Sequence, residues 1–304
     1  MSRDDRRLDP TIIGEVAAPP FVRLPDPLQL FVNRTLRLRA LGTGSEIGAY
    51  LRFLSELVEL QYRIQDGLPD PVRPDPAALA RARQHAMPPL DRGGFVADRA
   101  FDTTLDALVD AAAGTGAPQS AAEALVRLRE ADAATRASMV AAVLSYEIPV
   151  ETLAEHVYVA AALQVQFARL AAGLDPKSLV PVGDGACPCC GGPPVSSMVV
   201  GWQGAHNTRF CACALCGTLW HYVRIKCVLC GSTKGIGYQE VEGGGGNIKA
   251  ETCDACRSYV KVLYQVREAD LEPVADDVAS LGLDLLLAAG EYRRGGYNPF
   301  LLGY

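Results

Sequence analysis

Cys-x-x-Cys occurs four times in one stretch of this chain, at Cys187/Cys190, Cys213/Cys216, Cys227/Cys230 and Cys253/Cys256. Twenty-two residues separate Cys190 from Cys213 and twenty-two separate Cys230 from Cys253, so the second half repeats the first at an offset of 40 positions. Two such pairs, closed on each other, present four thiolates to one ion in a tetrahedron. The duplicated spacing predicts two four-sulfur metal sites, the first from Cys187, Cys190, Cys213 and Cys216, the second from Cys227, Cys230, Cys253 and Cys256. Two intervening residues let the backbone turn in a tight knuckle that aims both sulfurs at one point. A glycine after the second cysteine allows positive φ, so that backbone N–H groups can face the sulfurs. Gly191, Gly217 and Gly231 fill that place, and Arg257 stands at the fourth.

Disulfides are the first alternative, and they need an oxidising compartment. Met1–Asp9 is charged and mixed in sign, with no apolar run behind it, and Arg6-Arg7 is followed by Leu-Asp-Pro. That start reads as cytoplasmic, where a cysteine-rich chain is expected to hold metal. A thioredoxin-type redox pair needs one Cys-x-x-Cys at a strand-to-helix junction, not four in series. Cys189 and Cys211 fall outside the pattern and read as small buried thiols. Four thiolates suit zinc or iron alike, so the expectation is two metal ions, iron or zinc, one per site. Residues 187–266 carry seven cations against four acids, a net +3 in a chain whose net charge is −6. The overall acidity argues against general nucleic-acid binding, and no run of about 20 apolar residues suggests membrane insertion.

The first 180 residues read as a helical, bundle-like domain. Asp26-Pro27 and Asp75-Pro76 each pair an N-cap with a proline at the first helical position. Thr43–Glu46 and Ser120–Glu123 have the form of capping boxes. Ile47, Leu51, Leu54, Val58 and Tyr62 form a stripe of helical period, as do Phe101, Leu105, Leu108 and Ala112. Met139, Val143 and Tyr146 mark a further helix, and Thr152–Ala172 reads as a long apolar one. Strand signals are nearly absent before residue 195, and Gly173–Gly185 reads as a linker. In the cysteine region, β-type residues gather at 195–200, 220–225, 235–241 and 258–266, with hairpin tips near 201–207 and 243–246.

A final helix is expected over Glu272–Ala289, with Pro273 at its start and Val274, Val278, Leu281 and Leu285 as its apolar face. The tail from Tyr297 to Leu302 is expected to dock against the protein. The fold class is thus α+β, an all-helical domain followed by two tandem rubredoxin-like or zinc-ribbon modules and a C-terminal helix. The boundaries read as an N-terminal extension over 1–25, the helical domain over 26–180, metal modules over 181–226 and 227–268, and the C-terminal helix and tail over 269–304. No catalytic motif stands out. His85 and His156 lie on helices, His206 in a hairpin tip, and His221 reads as a packed strand residue beside the second knuckle. Complete thiolate shells leave an ion no open position for hydrolysis.

The run Cys187-Pro-Cys-Cys-Gly resembles the formate dehydrogenase accessory protein FdhE family. So do Cys213-Ala-Leu-Cys-Gly-Thr-Leu-Trp220-His-Tyr-Val-Arg-Ile-Lys-Cys227 and Lys249-Ala-Glu-Thr-Cys253-Asp-Ala-Cys-Arg-Ser-Tyr-Val. Val274–Leu281, Asn298-Pro-Phe300 and the Arg-Leu-Pro-Asp-Pro segment near residue 25 extend the likeness over nearly the whole chain. The resemblance implies a cytoplasmic assembly factor that is not an enzyme and that binds the formate dehydrogenase catalytic subunit before assembly. It also implies that the eight pattern cysteines are the ligands, while Cys189, Cys211 and Arg257 depart from the pattern. A rubredoxin-like electron carrier and a zinc-ribbon nucleic-acid binder are the alternatives. Self-association is left open.

Overall fold

The computed structural model describes residues 18–301, so the charged Met1–Asp9 segment and the last three residues lie outside the described residues. The chain enters through a two-residue strand, β1 (Val22–Arg23), and turns into α1 (Pro27–Leu41). Asp26 caps α1 by accepting from the N–H groups of Leu28 and Gln29. Six further helices follow: α2 (Gly48–Arg63), α3 (Pro76–Gln84), α4 (Arg99–Ala112), α5 (Gln119–Glu130), α6 (Ala133–Ser145) and α7 (Leu153–Ala172). Asp75 caps α3 in the manner expected.

α7 is the axis of this bundle. Fifteen of its 20 residues are buried, because α2, α4, α5 and α6 pack around it. Phe101, Leu105, Leu108 and Ala112 of α4 all reach the core, as do Leu51, Leu54 and Val58 of α2. Tyr62, counted in the same stripe, sits at the bundle edge and is exposed. Among the described residues no single helix is long and apolar enough to cross a membrane; α6 and α7 reach that content only together, across a 113° bend.

The two sequence capping boxes do not cap. α2 starts at Gly48, beyond Thr43–Glu46, and its first turn is reached through a backbone bond from the Gly48 N–H to the Ser45 carbonyl. α5 starts at Gln119, after an extended Pro118, which places Ser120 inside the first turn rather than ahead of it.

Seven strands form one path in the order β1-β4-β3-β2-β7-β6-β5: β1, then β2 (Pro194–Val199), β3 (Arg209–Cys213), β4 (Leu219–His221), β5 (Ile236–Gln239), β6 (Ile248–Cys253) and β7 (Ser258–Leu263). Each repeat supplies an antiparallel meander, β2-β3-β4 and β5-β6-β7, with tips at residues 200–208 and 240–247 where expected. β3 and β6 were not among the anticipated strands. They are held by ladder partners on both sides, which a local reading of Arg209–Cys213 cannot see. Beyond His221 the 220–225 segment leaves the sheet.

The two meanders share one sheet. β2, the first strand of repeat one, pairs in parallel with β7, the last strand of repeat two, through Ser197 opposite Val262 and Met198 opposite Leu263. β1 closes the far side of β4, with Val22 opposite Trp220. This strand lies before residue 195, where strand signals are nearly absent in the sequence, because two residues become a strand only when β4 offers its edge.

The final helix is broken. It runs as α8 (Ala275–Ala279) and α9 (Leu281–Ala288), interrupted at Ser280. The Ser280 hydroxyl donates to the Asp276 carbonyl, a back-bond that bends helices. The break turns the apolar face: Val274 and Val278 stay buried, but Leu283 and Leu287 replace Leu281 and Leu285, and Leu285 is exposed. β8 (Arg293–Arg294) then pairs in parallel with the start of β7. The tail docks as expected, with Phe300 fully buried and its carbonyl accepting from the Tyr50 hydroxyl at 2.7 Å.

Candidate metal centres

Each repeat closes its two knuckles on each other. In the first, Cys187, Cys190, Cys213 and Cys216 have all their sulfurs within 4.8 Å of one another; in the second, Cys227, Cys230, Cys253 and Cys256 do the same. Across the facing knuckles the sulfurs stand 3.6 Å (Cys187 to Cys216) and 3.4 Å (Cys190 to Cys213) apart in the first, and 3.9 Å (Cys227 to Cys256) and 3.7 Å (Cys230 to Cys253) in the second. A tetrahedral ion with sulfur ligands at roughly 2.3 Å needs sulfur separations of about 3.8 Å. The donor sets therefore fit a four-thiolate ion, zinc or iron, with small adjustments.

The knuckles are built by the backbone. Gly191, Gly217 and Gly231 take positive φ of 76°, 71° and 73°, and their N–H groups donate to the carbonyls of Cys187, Cys213 and Cys227 at 2.8–3.0 Å. Each leading cysteine in turn donates its N–H five residues ahead, Cys187 to Gly192, Cys213 to Thr218 and Cys227 to Ser232. Arg257 adopts the same left-handed conformation at φ 52°, so the fourth knuckle keeps the geometry without the glycine. Cys253 and Ser258 are there paired across the β6–β7 ladder.

Four thiols this close cannot all ionise without a cation. Burial and the neighbouring sulfurs hold Cys187 well above the usual thiol range, while hydrogen bonds from the same neighbours pull Cys216 below it against its own burial. The Cys216 thiol donates to Thr218 Oγ1 at 3.1 Å, a contact that reverses direction once the sulfur is a thiolate.

The helical domain supports the first group directly. The Leu90 and Arg92 N–H groups donate to the carbonyls of Cys189 and Cys190 at 2.8 and 3.2 Å. Gln164, buried on α7, donates to the Ala214 carbonyl inside the second knuckle at 2.9 Å and accepts from Gln61 at 2.9 Å. Arg92 lies over the Tyr146 ring, 4.1 Å from its centre, and brings a positive charge beside this group. Sequence reasoning missed Gln164 and Arg92; a glutamine in the middle of an apolar helix was the available signal.

The spare cysteines are both fully buried. Cys189 touches Cys187, Cys216 and Thr218, whereas Cys211, on β3, is pushed up to about 12 by burial against the pull of Arg209. His221 packs edge-on to Phe210 with 5.8 Å between ring centres, and burial lowers its pKa. His85 and His206 are exposed, and His156 is buried with Nδ1 2.6 Å from the Thr152 carbonyl. None of the four histidines joins either sulfur group.

Comparison with known proteins places this geometry. Three consecutive family descriptions match the chain: FdhE, N-terminal, over residues 19–184; FdhE, central domain, over 186–224; and FdhE, C-terminal domain, over 225–301. A Protein FdhE homolog of Rhizobium meliloti (strain 1021) is 48% identical over 97% of both chains. One from Stutzerimonas stutzeri (strain A1501) is 37% identical, covering 97% of this chain and 96% of that one. The crystal structure of the FdhE protein from Pseudomonas aeruginosa superposes with a TM-score of 0.84 at 35% identity, covering 94% of this chain and 99% of that chain. The chain belongs to the FdhE family.

Proposed function

We propose that this protein is an assembly factor for formate dehydrogenase, acting in the cytoplasm on the catalytic subunit and carrying two metal ions, iron or zinc, in its two four-cysteine groups. The observation that carries the reading is the pair of four-cysteine groups, each with its sulfurs within 4.8 Å of one another, in a member of the FdhE family. In this reading Cys187, Cys190, Cys213 and Cys216 hold one ion, and Cys227, Cys230, Cys253 and Cys256 hold the other. Residues 26–180 form the helical domain, 181–226 and 227–268 the metal modules, and 269–304 the C-terminal helices and tail. A four-thiolate ion has no open coordination position, so the centres supply rigidity or one-electron chemistry rather than hydrolysis, and the role is accessory, not enzymatic.

The chain's own residues do the organising. The Leu90, Arg92 and Gln164 bonds fix the first module onto the bundle, and the β2–β7 pairing carries that orientation into the second. The face offered to a partner is therefore set by both groups together.

A strain lacking the gene, assayed for formate oxidation and for catalytic-subunit protein, tests the reading. Subunit present but inactive, with activity restored by the gene and with the subunit co-purifying with the tagged protein, supports it. Unchanged formate oxidation in the deletion strain overturns it. Elemental analysis and an absorption spectrum of anaerobically purified protein decide between iron and zinc. The electron-carrier alternative has one observation in its favour, the exposed Cys230, and a colourless zinc protein that still restores activity removes it.

A further inference from the structure

The two sulfur groups are copies in sequence and unlike in setting. Every cysteine of the first is at most 3% exposed. Three parts of the helical domain close over it: the Leu90–Arg92 segment on the first knuckle, α7 through Gln164, and the entry to α1, where Leu30 of the helix and Pro25 just before it lie against Gly217. The second group is less completely covered among the described residues. Cys227 and Cys253 are buried, Cys256 is half-buried and Cys230 is exposed. Its cover comes from the linker, where Asp184 lies beside Gly231, and from the tail, where Leu229 meets Gly295. The Arg257–Glu291 and Tyr292–Asp254 contacts that complete it are at the surface.

The sheet repeats this contrast. β2, the first strand of repeat one, has a neighbour on each side, β3 and β7. Its counterpart β5 is the end of the path among the described residues, and Ile236 on it is the ladder partner of Cys253. β5 itself is partly to fully exposed. β5 brings no fully buried residue of its own to this edge, so the second group sits beside an exposed sheet edge where the first sits in the sheet interior.

We infer that the second group is a metal-exchange and sulfur-modification site, addressed through Cys230, while the first is an internal strut closed to reagents. This rests on the reading that both groups hold metal. A bound ion keeps each ligand sulfur as a thiolate. Displacing the ion requires either a competing soft ligand that reaches it or an electrophile that captures a thiolate, and both depend on access. Cys230 meets that condition; the first group meets it nowhere. The ligands the site takes are thiophilic metal ions, and the reagents that act on it are soft electrophiles.

The test uses full-length protein loaded anaerobically with two equivalents of zinc. Release to excess of a coloured chelator is expected in two phases of one equivalent each, the first about ten-fold or more faster. Brief exposure to N-ethylmaleimide, followed by peptide mass mapping, should mark Cys230 first, then Cys256, with Cys187, Cys190, Cys213 and Cys216 unmarked. In that step sulfur adds to the maleimide double bond, the adjacent carbon takes a proton from water, and the zinc–sulfur bond is given up. Cys230→Ser should lose the fast equivalent and keep the slow one; should that variant not fold, the labelling order in the unaltered protein decides. Release of both equivalents in one phase, or equal labelling of both groups, overturns the inference. Protein that takes up no zinc overturns the metal reading itself, a separate outcome.

Discussion

Lys261 offers the sharpest quantitative test of how the C-terminal segment is held. It lies on β7 with its side chain 1% exposed, facing Asp277 and Asp284, which are 0% and 4% exposed. Its Nζ is 2.5 Å from Asp284 Oδ2 and donates to the carbonyls of Asp277 and Ser280 at 2.7 and 3.1 Å. Arg294 of β8 binds the other oxygens of the same two carboxylates, at 2.5 and 2.6 Å. A buried lysine and a partly buried arginine thus balance two buried carboxylates at the junction of β7, α8, α9 and β8. Lys261→Met keeps the apolar stem and removes the charge, leaving two carboxylates on one guanidinium. Breaking a buried pair from one side costs about 3–5 kcal/mol, because one negative charge is left buried without a compensating cation, although Arg294, Tyr259 and Asn298 still donate to the two carboxylates. At about 2–4 °C per kcal/mol for a chain of this order of size, the midpoint should fall by roughly 6–20 °C. Adding Asp284→Asn restores charge balance, so the double variant should be about 0.5–3 kcal/mol better than the sum of the single changes. Urea unfolding of metal-loaded protein, followed by circular dichroism, reads both numbers. A single variant within about 1 kcal/mol of the parent, or a strictly additive double, would refute the idea that this network is dry and mutually dependent.

Other consequences follow from the sulfur groups and their supports. Cys213→Ser and Cys253→Ser should each cost one equivalent of metal by elemental analysis, while Cys189→Ser and Cys211→Ser keep both; equal loss in the two sets would show the ligand assignment to be wrong. Gly217→Ala combines left-handed φ with a Cβ 2.6 Å from Leu30 Cδ2, whereas Gly44→Ala has the same φ sign and open space around it. Both should lose about 1 kcal/mol to the backbone, and Gly217→Ala about 1–3 kcal/mol more from the clash; equal midpoints in urea would contradict the packing. Gln164→Leu leaves the Ala214 carbonyl and the Gln61 amide without that partner, so it should lower stability by about 1–3 kcal/mol and speed release of the slow metal equivalent. No change in that release rate would mean the α7 contact does not tighten the first group.

What could be read from the chain alone was what local chemistry decides. Knuckle spacing is local, and so is an aspartate before a proline; Asp26 and Asp75 cap where they should. The stripe of α4 was legible because its burial follows one helical period, and α7 was legible as a long apolar run because it is buried nearly all round. The failures share a cause in competing or distant partners. Thr43–Glu46 has the right letters, but the backbone of Ser45 and Gly48 closes the turn first. The break at Ser280 depends on Lys261, from another element, accepting the role of donor to the freed Asp277 and Ser280 carbonyls. β1 and β8 are two residues each and exist through β4 and β7. The parallel β2–β7 junction, which turns two modules into one sheet, joins residues 65 positions apart, 197 with 262, and leaves no mark in either segment.

That junction also explains why a duplicated sequence yields two unequal centres. Joining three-stranded meanders head to tail, with the first strand of one beside the last strand of the other, uses up one edge of each copy. The outer strand of repeat one, β4, and that of repeat two, β5, are left over. An open edge is a liability that folds close when they have chain to spare. Among the described residues, the chain that precedes the repeats does so on one side: β1 pairs with β4, and α1 follows to place Leu30 against Gly217. The same helical domain then reaches the first group through Leu90, Arg92 and Gln164. If the first group holds an ion as proposed, losing it would loosen contacts at α1, at α7 and at the Leu90–Arg92 turn, so that its binding energy would be spread through the molecule. Losing the second would be felt mainly by β5, β6 and the tail. Identical ligand chemistry is in this way made to serve a closed joint at one end of the sheet and an accessible centre at the other, by where the helices were placed rather than by any change in the cysteines.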